Sequence, residues 1–212
     1  MITTLIPTSD PIDLIAYYKE HEKYYPNCEP ETKKWFVNNI QKDWIILDCG
    51  AHIGYLSILF SRLAPEGHIY AFEPTSTRDM LIQNLEYHKV KNVTVESMAL
   101  GDKIGIHNDA IFRIWGTEPE KMNYEFITID EYSKRLDRID CIKIDVDSFD
   151  FEVLKGARAL LTQRDINIVV EVTSNSLVKR GLTPKDIFEL MESYRYRVID
   201  VFDRYNFLFR KR

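Results

Sequence analysis

The stretch from Trp44 to Tyr55 reads W-I-I-L-D-C-G-A-H-I-G-Y. It opens with a continuous apolar run that ends in an acid, Asp48, a pattern typical of a parallel strand buried on both faces. Gly50 then predicts a tight turn at which a ligand can approach the backbone, because glycine has no Cβ to block it. Gly54 would let the next helix pack closely on the strand. The stretch therefore predicts a strand, a glycine loop and a helix, an arrangement that cradles nucleotides in parallel sheets.

The glycine loop differs from the fingerprint of nicotinamide-dependent dehydrogenases. It lacks the spacing G-x-G-x-x-G, and an acid precedes its glycines. An anionic Asp48 beside the loop would repel a pyrophosphate and would suit a cationic ligand, such as an amino group or a sulfonium. The alternative interpretation is a tight turn with a purely structural role.

The next apolar run ends in I-Y-A-F-E-P, with Glu73 as its acid. This acid comes about twenty residues after the glycine loop, the position at which nucleoside-binding sheets hydrogen-bond ribose hydroxyls. A carboxylate can accept hydrogen bonds from both the 2′- and the 3′-hydroxyl. The alternative is a helix cap, since Pro74 could open the next helix. In combination with the glycine loop, Glu73 favours ribose binding.

Strand-like and helix-like patterns alternate along the rest of the chain. Further strands are predicted at 68–72, 93–96, 141–146 and 166–172, and helices at 53–63, 79–88, 149–162 and 184–194. Asp130 is predicted to cap a short helix at 131–136, and a hairpin across Asp203 and Arg204 would close the chain. The pattern indicates an α/β fold, a Rossmann-like, doubly wound, mostly parallel sheet with an antiparallel last strand and helices on both faces.

Residues 1–31 read differently from the rest because four prolines interrupt them. We predict an N-terminal arm or short helical extension there, with one helix near 13–22, followed by the main domain over 32–212. The arm is rich in tyrosine. It would fold over a bound ligand, form a contact between two copies of the chain, or be plain surface. The polar stretch 102–124, with Trp115, is predicted to be irregular and to form part of the mouth of the site.

Composition excludes several classes of protein. The 212 residues carry a net charge of −5, whereas dedicated nucleic-acid binders usually have a basic excess. No apolar run approaches the ~20 residues of a membrane span, and the N-terminus lacks the basic start of a secretory signal. The three cysteines, Cys28, Cys49 and Cys141, are odd in number and far apart. This favours reduced thiols in a cytoplasmic protein over disulfides or a zinc site.

Further motifs resemble one family. The spacing of Asp48, Gly50, Gly54 and Glu73 resembles that of class I S-adenosylmethionine-dependent methyltransferases. Within that class, five stretches resemble the FkbM family of methyltransferases. They are D-C-G-A-H-I-G-Y (48–55), F-E-P (72–74), A-L-G-D (99–102), T-I-D-E (128–131) and K-I-D-V-D-S-F-D-F-E-V-L-K-G-A (143–157). The similarity covers about 31–172, and the last stretch is its most specific part.

The resemblance implies S-adenosylmethionine as the cofactor, and it assigns parts of that cofactor to individual residues. Gly50, His52 and Gly54 would line the methionine part of the cofactor, and Asp48 would lie near its amino group. Glu73 would hold the ribose, and Met98 and Ala99 would flank the adenine. Asp145 would lie near the sulfonium.

One segment departs from the expected family pattern. Where the family would read D-V-E-G-x-E, this chain reads D-V-D-S-F-D from Asp145 to Asp150, so each glutamate is one methylene shorter and a serine replaces the glycine. An alcohol acceptor gains from a base that takes its proton. Asp145 and Asp147 are the predicted catalytic residues, with Glu171 and His52 as further candidates. The acids could instead hold a divalent cation or cap the next helix, and we predict no metal site.

The sequence and the resemblance together predict an S-adenosylmethionine-dependent O-methyltransferase that acts on a hydroxyl group of a sugar, glycan or secondary metabolite. The expected partner is that small-molecule or glycan acceptor, without nucleic acid or a membrane span, and a homodimer is left open. One alternative is a module that binds S-adenosylmethionine without efficient transfer. The other is a nicotinamide-dependent oxidoreductase, against which the missing G-x-G-x-x-G argues.

Overall fold

The computed structural model describes residues 1–112 and 118–212. Most of its strands coincide with apolar runs of the sequence. The strands are β1 (Ile2–Thr4), β2 (Ile12–Leu14), β3 (Ile45–Cys49), β4 (His68–Phe72), β5 (Val93–Glu96), β6 (Ala99–Leu100), β7 (Gly105–Ile111), β8 (Glu120–Ile127), β9 (Cys141–Ile144), β10 (Asn167–Glu171), β11 (Tyr196–Phe202) and β12 (Asn206–Lys211).

The helices lie between these strands and at the N-terminus. They are α1 (Lys19–Tyr24), α2 (Pro30–Asn39), α3 (Tyr55–Leu63), α4 (Arg78–Tyr87), α5 (Ile129–Ser133), α6 (Asp150–Lys155), α7 (Arg158–Gln163), α8 (Ser174–Leu177) and α9 (Pro184–Ser193), with 3-10 turns at Tyr25–Asn27 and Val178–Arg180.

Seven strands form the central sheet in the order β11-β12-β10-β9-β3-β4-β5. The strands from β10 to β5 run parallel to one another, and β12 is antiparallel to both β10 and β11. Neighbouring residues of β3 enter two different cores, because side chains alternate between the faces of a strand. Ile46 packs in the core that contains α2 and α3, and Leu47 in the core that contains α6, α7 and α9. The predicted fold class is therefore confirmed.

The predicted closing hairpin is also present. Asp203 and Arg204 both have positive φ angles, of 51° and 71°, and the amide of Tyr205 donates to the carbonyl of Phe202. Two left-handed central residues match the right-handed twist of the flanking strands, which is why such turns join antiparallel strands.

The register of the sheet brings polar residues to the carboxyl edge of the parallel strands. Asp48 of β3 lies beside Lys143 of β9, and Glu171 of β10 lies beside Asn206 of β12. Asp145 directly follows β9, one step beyond the pairing of Val170 with Ile144. Carboxylates from three strands and one lysine therefore meet at one edge, where parallel sheets bind their ligands.

Gly50 is required by the protein's own backbone. Its φ is +87°, and a Cβ at this position would lie 1.8 Å from the carbonyl oxygen of Asp145. The loops after β3 and β9 therefore touch backbone to backbone. The absence of a side chain at Gly50 therefore allows this backbone contact, and Gly50 also lines the cavity at this edge of the sheet.

Two details around α5 differ from the expectation. Thr128, and not Asp130, caps this helix, because the Thr128 hydroxyl accepts a hydrogen bond from the amide of Glu131 at 3.1 Å. The carboxylate of Asp130 instead accepts from the amides of Ala159 and Leu160, at 2.8 Å each, and so caps α7.

The predicted helix 149–162 is split into α6 and α7. The break lies beside Gly156, whose Cβ would stand 2.0 Å from the carbonyl oxygen of Gly101.

Two stretches contain strands that the sequence analysis missed. The single helix expected near 13–22 is a strand, β2, paired with β1, followed by α1. The expected irregular stretch 102–124 contains β7 and half of β8, which pair antiparallel. Three-residue strands are too short for periodicity to show, and polar strands that are exposed on one face carry few apolar positions. Trp115 lies outside the described residues.

Within the two described ranges, no helix has both the length and the apolar character that crossing a membrane requires.

The close approach of Gly50 to Asp145 predicts a stability defect. Gly50→Ala is expected to lower the free energy of unfolding by about 3 kcal/mol, because overpacking costs about 1–3 kcal/mol and a left-handed residue about 1–2 kcal/mol. Gly181→Ala is the matched control, since its φ is also positive (+73°) but nothing lies within 4 Å of its Cβ. Urea denaturation of both variants checks this, and equal losses would contradict the steric interpretation.

Candidate active site

A cavity of about 800 Å³ lies at the carboxyl edge of the sheet. Its walls come from the loops after β3, β4, β9 and β10, from the start of the three-stranded sheet, and from the N-terminal segment. Most of the predicted site residues line it. These are Asp48, Gly50, His52, Glu73, Ala99, Asp145 and Asp147.

The other two predicted cofactor residues, Gly54 and Met98, are not among the lining residues. Gly54 precedes α3 with a φ of +92°, and its Cβ would lie 2.5 Å from Cδ1 of Leu81 in α4. Its lack of a side chain therefore serves helix packing. Met98 is half-buried and packs against the core of α5, α6 and α7.

Glu73 fixes the glycine loop. Its Oε2 accepts a hydrogen bond from the amide of His52 at 2.9 Å, and its Oε1 accepts from the amide and the hydroxyl of Thr75, at 3.0 and 2.6 Å. Burial raises the pKa of this carboxyl group, while those hydrogen bonds oppose the rise. A carboxylate offers about four acceptor positions, and donors among the described residues fill three of them, which leaves about one, on Oε2. The expected pair of ribose hydrogen bonds would need one of the present partners to turn away.

Asp48 is buried beneath the glycine loop. It accepts a hydrogen bond from the hydroxyl of Ser57 in α3, and its side chain lies beside Lys143 in the sheet. Burial raises the pKa of Asp48 to about 6. The hydroxyl partner and the nearby ammonium favour the charged form, so Asp48 is a buried anion near neutral pH.

Lys143 is almost completely buried, and its Nζ is the centre of a polar cluster. The Nζ atom lies 3.3 Å from Asp145 Oδ2, 3.0 Å from Asn206 Oδ1 and 4.0 Å from Glu29 Oε1. An unpaired buried charge is costly, so the lysine needs these partners. Burial lowers the pKa of Lys143, but the carboxylates of Asp145, Glu29 and Glu171 outweigh it, so the net shift is upward and the lysine is charged.

The N-terminal segment supplies site residues that the sequence analysis missed. Tyr24, Tyr25 and His21 line the cavity, and the hydroxyl of Tyr25 hydrogen-bonds Nδ1 of His52 in the glycine loop. Glu29 stands just behind them, buried, with a left-handed φ of 45°. Nothing local in the sequence marks these residues as functional. The aromatic composition of the arm was the only signal.

Asp147 and Ser148 form an unusual turn after β9. Their φ angles are 48° and 92°, and Ser148 occupies the place where we expect glycine in the family. Asp147 lines the cavity and receives no hydrogen bond from the described residues. Burial and the neighbouring carboxylates of Asp145 and Asp150 raise the pKa of Asp147 to about 7. Asp150 faces away and accepts from the amide of Val146 at 3.1 Å.

The cavity walls carry a surplus of acids. Glu171 faces the cavity with its pKa well above the usual range, because burial and the charge of Asp145 both oppose its ionisation. Only lysines 23 and 143 oppose the acids among the described lining residues. The acids are Glu20, Asp48, Glu73, Asp145, Asp147 and Glu171. A ligand with positive charge would relieve the repulsion among these acids and lower their raised pKa values, so the imbalance favours such a ligand.

No group of three or more His, Cys, Asp or Glu side chains in the described part of the chain is arranged to hold a metal ion.

The left-handed Ser148 predicts a stabilising substitution. Ser148→Gly is expected to raise the free energy of unfolding by about 0.5–1 kcal/mol, because glycine takes positive φ without the steric cost that serine has. Ser133→Gly, at the last residue of α5, is the control and should lower it by about 0.5–1 kcal/mol, because it loses the hydrogen bond from the Ser133 hydroxyl to the Asp130 carbonyl. Thermal and urea unfolding measure both. A loss of stability in Ser148→Gly would show that the serine side chain stabilises the turn.

Comparison with known proteins agrees with this architecture. The family model described as the methyltransferase FkbM domain matches residues 48–198, more than two thirds of the chain. No curated protein matched. Among solved structures, the methyltransferase FkbM from Methylobacillus flagellatus is 16% identical, with a TM-score of 0.55 over 81% of this chain. This chain spans only 44% of that protein's length.

Two other solved structures share the fold at low sequence identity. The precorrin-6y C5,15-methyltransferase from Geobacter metallireducens is 19% identical, with a TM-score of 0.52, over 85% of this chain and 86% of its own. A protein from Streptococcus mutans in complex with SAH is 12% identical, with a TM-score of 0.52, over 85% of this chain and 94% of its own. The match over residues 48–198 shows the family, and the protein is a member of the FkbM-domain methyltransferases.

Proposed function

We propose that this protein transfers the methyl group of S-adenosylmethionine to a hydroxyl group of a small sugar, glycan or secondary metabolite. The observation that carries the proposal is the cavity at the carboxyl edge of the sheet, whose walls hold a surplus of carboxylates and one carboxylate, Asp147, that receives no hydrogen bond from the described residues. Membership of the methyltransferase family supports the transfer, and the cavity chemistry supports the donor and the type of acceptor.

The residues present suit this donor. Its sulfonium and ammonium groups are cationic, and the cavity walls have more carboxylates than lysines. Glu73 keeps one acceptor position for a ribose hydroxyl, and the SAH bound to the Streptococcus mutans protein supports the same class of ligand. Pockets that bury small ligands measure about 300–1,000 Å³. A cavity of about 800 Å³ therefore has room for a nucleoside-sized donor and a small acceptor together.

The donor supplies an activated methyl group, so the protein's main task is to hold the acceptor oxygen close and in line. Asp147 would take the proton of the acceptor hydroxyl at its free carboxylate. A base works best with a pKa near the working pH, and the pKa of Asp147 is about 7. Asp145, 3.3 Å from Lys143, would face the positive charge of the donor in the cavity. Tyr24, Tyr25 and His21 would cover the bound molecules and exclude water.

The surplus of acids in the cavity wall also helps to choose between a small hydroxyl acceptor and a nucleic-acid acceptor. A nucleic-acid acceptor would bring phosphates towards a wall with more carboxyl groups than lysines, which costs electrostatic energy wherever those groups are ionised. A hydroxyl compound that is neutral or cationic suits the wall better. A module that binds the donor without transferring its methyl group shares all of these features, so only turnover separates that alternative from an enzyme.

The direct test is to incubate the protein with S-adenosylmethionine and a panel of hydroxylated sugars, glycans and metabolites. The proposal expects one member to gain the mass of one CH2 group while S-adenosylhomocysteine accumulates. Donor binding without any gain of mass across the panel would favour the binding module. Binding of NAD in place of S-adenosylmethionine would favour the oxidoreductase.

The ribose assignment predicts a loss of donor affinity. Glu73→Ala should weaken binding of S-adenosylmethionine at least about tenfold, since a hydrogen bond to a charged group contributes about 1.5–3 kcal/mol. Glu96→Ala is the matched control, because Glu96 ends the neighbouring strand β5 but bonds Tyr132 outside the cavity. Calorimetry compares the two. Unchanged affinity in Glu73→Ala would remove Glu73 from the donor site.

The base assignment predicts a loss of rate. Asp147→Asn keeps the shape of the side chain and removes its charge, so kcat should fall by about 10²–10⁴-fold with donor affinity little changed. The wild-type rate should rise as the pH passes about 7, where the carboxylate becomes the ionised base. Steady-state kinetics between pH 5 and pH 9 measure both effects.

Asp145→Asn is the companion variant for this prediction. If Asp147→Asn is fully active and Asp145→Asn is not, the role of base belongs to Asp145. If both variants are active, alignment alone accounts for the transfer. Activity that is lost with a chelator and restored by magnesium would replace the base with a cation that lowers the pKa of the hydroxyl.

A further inference from the structure

The polar cluster around Lys143 reaches outside the segment that matches the family. Glu29 precedes α2 and Asn206 begins β12, whereas the family match covers 48–198. Oε1 of Glu29 accepts a hydrogen bond from Nδ2 of Asn206 at 2.6 Å, and Oε2 accepts one from the hydroxyl of Tyr55. Both oxygens therefore have partners, and the side chain is 99% buried. Glu29 is held in one position behind the cavity wall.

Asn206 determines which groups donate in this cluster. Its Oδ1 accepts from Lys143 Nζ at 3.0 Å, so its Nδ2 must face Glu29 and donate to it. The same ammonium lies 3.3 Å from Asp145 and 4.0 Å from Glu29. The Lys143 ammonium thus lies within 4.0 Å of two carboxylates, of which Asp145 faces the cavity and Glu29 does not.

The charges of this cluster do not balance. Two carboxyl groups, those of Glu29 and Asp145, lie within 4.0 Å of the one ammonium of Lys143, and Asp48 and Glu171 act on the same ammonium from farther away. Carboxylates without a full counter-charge attract a cation, and the attraction is strong where water is largely excluded. The side of the cluster that is open to the cavity is Asp145, whose side chain is 28% exposed. A cationic ligand in the cavity would complete the cluster.

We propose that Glu29 is a positioning residue that raises the affinity of the cavity for the cationic methyl donor relative to its neutral demethylated product. The inference rests on the proposed function. S-adenosylmethionine carries a positive sulfonium where S-adenosylhomocysteine has a neutral thioether, and the two are otherwise alike. Glu29 interacts with the Lys143 ammonium from the side away from the cavity. The ammonium therefore neutralises Asp145 only in part, and Asp145 presents negative charge to the cavity. Without Glu29, Lys143 would neutralise Asp145, and the cavity would lose a reason to prefer the donor over the product.

Calorimetry with both nucleosides tests this without an acceptor. The ratio of the dissociation constant of S-adenosylhomocysteine to that of S-adenosylmethionine should fall about tenfold in Glu29→Gln, with affinity for the product changed less than about twofold. Glu22→Gln is the matched control, because Glu22 is an exposed acid of the same segment, and its ratio should equal that of the wild type. Glu29→Asp retains the charge and should retain most of the preference.

Lys143→Gln should change the ratio of the two dissociation constants in the opposite direction. It also tests the inference if Glu29→Gln does not fold. It leaves two carboxylates without their ammonium, so the ratio should rise. An unchanged ratio in a folded Glu29→Gln, or a fall in Lys143→Gln, overturns the inference. Equal weakening of donor and product in Glu29→Gln also overturns it, since a purely structural role would act on both. A wild type that binds neither nucleoside defeats the proposed function itself, which is a different result.

Discussion

The buried ammonium of Lys143 is the constraint around which the functional edge of the sheet is organised. A charge in a protein interior is tolerated only when opposite charge and hydrogen bonds surround it. Here the partners come from three separate parts of the chain: Asp145 directly after the same strand, Asn206 in the antiparallel last strand, and Glu29 in the N-terminal segment. The lysine therefore ties the closing hairpin and the N-terminal segment to the central strand of the site.

A second constraint acts through the backbone. Gly50 and Asp145 touch where the loops after β3 and β9 leave the sheet, and there is no space for a Cβ between them. Glu73, at the end of β4, holds the amide of His52 in the same glycine loop. The loop is thus fixed by its neighbours on both sides before any ligand binds. Such preorganisation suits a reaction in which alignment supplies most of the acceleration.

The turn of Asp147 and Ser148 has a left-handed backbone, although neither residue is the glycine that adopts this conformation at the lowest cost. Both residues have positive φ although neither is glycine, so the surrounding packing must hold them there. Ser148 is buried, and the following Phe149 packs near Arg180, whose guanidinium lies 4.0 Å from the ring centroid. The turn places Asp147 on the cavity wall at some cost in stability. A strained turn at a site of this kind agrees with a functional role for the residue that it presents.

The sequence alone determined the parts of this protein that depend on local pattern. The alternation of apolar runs and helical stretches was sufficient for the parallel sheet, because buried strands must be apolar, and the acids at strand ends were sufficient to bring Asp48, Glu73 and Asp145 to one edge. Only the tertiary structure decided the partners of Lys143, the N-terminal wall of the cavity and the contact between Gly50 and the backbone of Asp145. Glu29 and Asn206 are 177 positions apart, and their contact depends on strand register and packing, which no local pattern records. The same holds for Asp130. Its local sequence indicated a cap for its own helix, whereas the packing of α5 against α7 directs its carboxylate to the amides of α7.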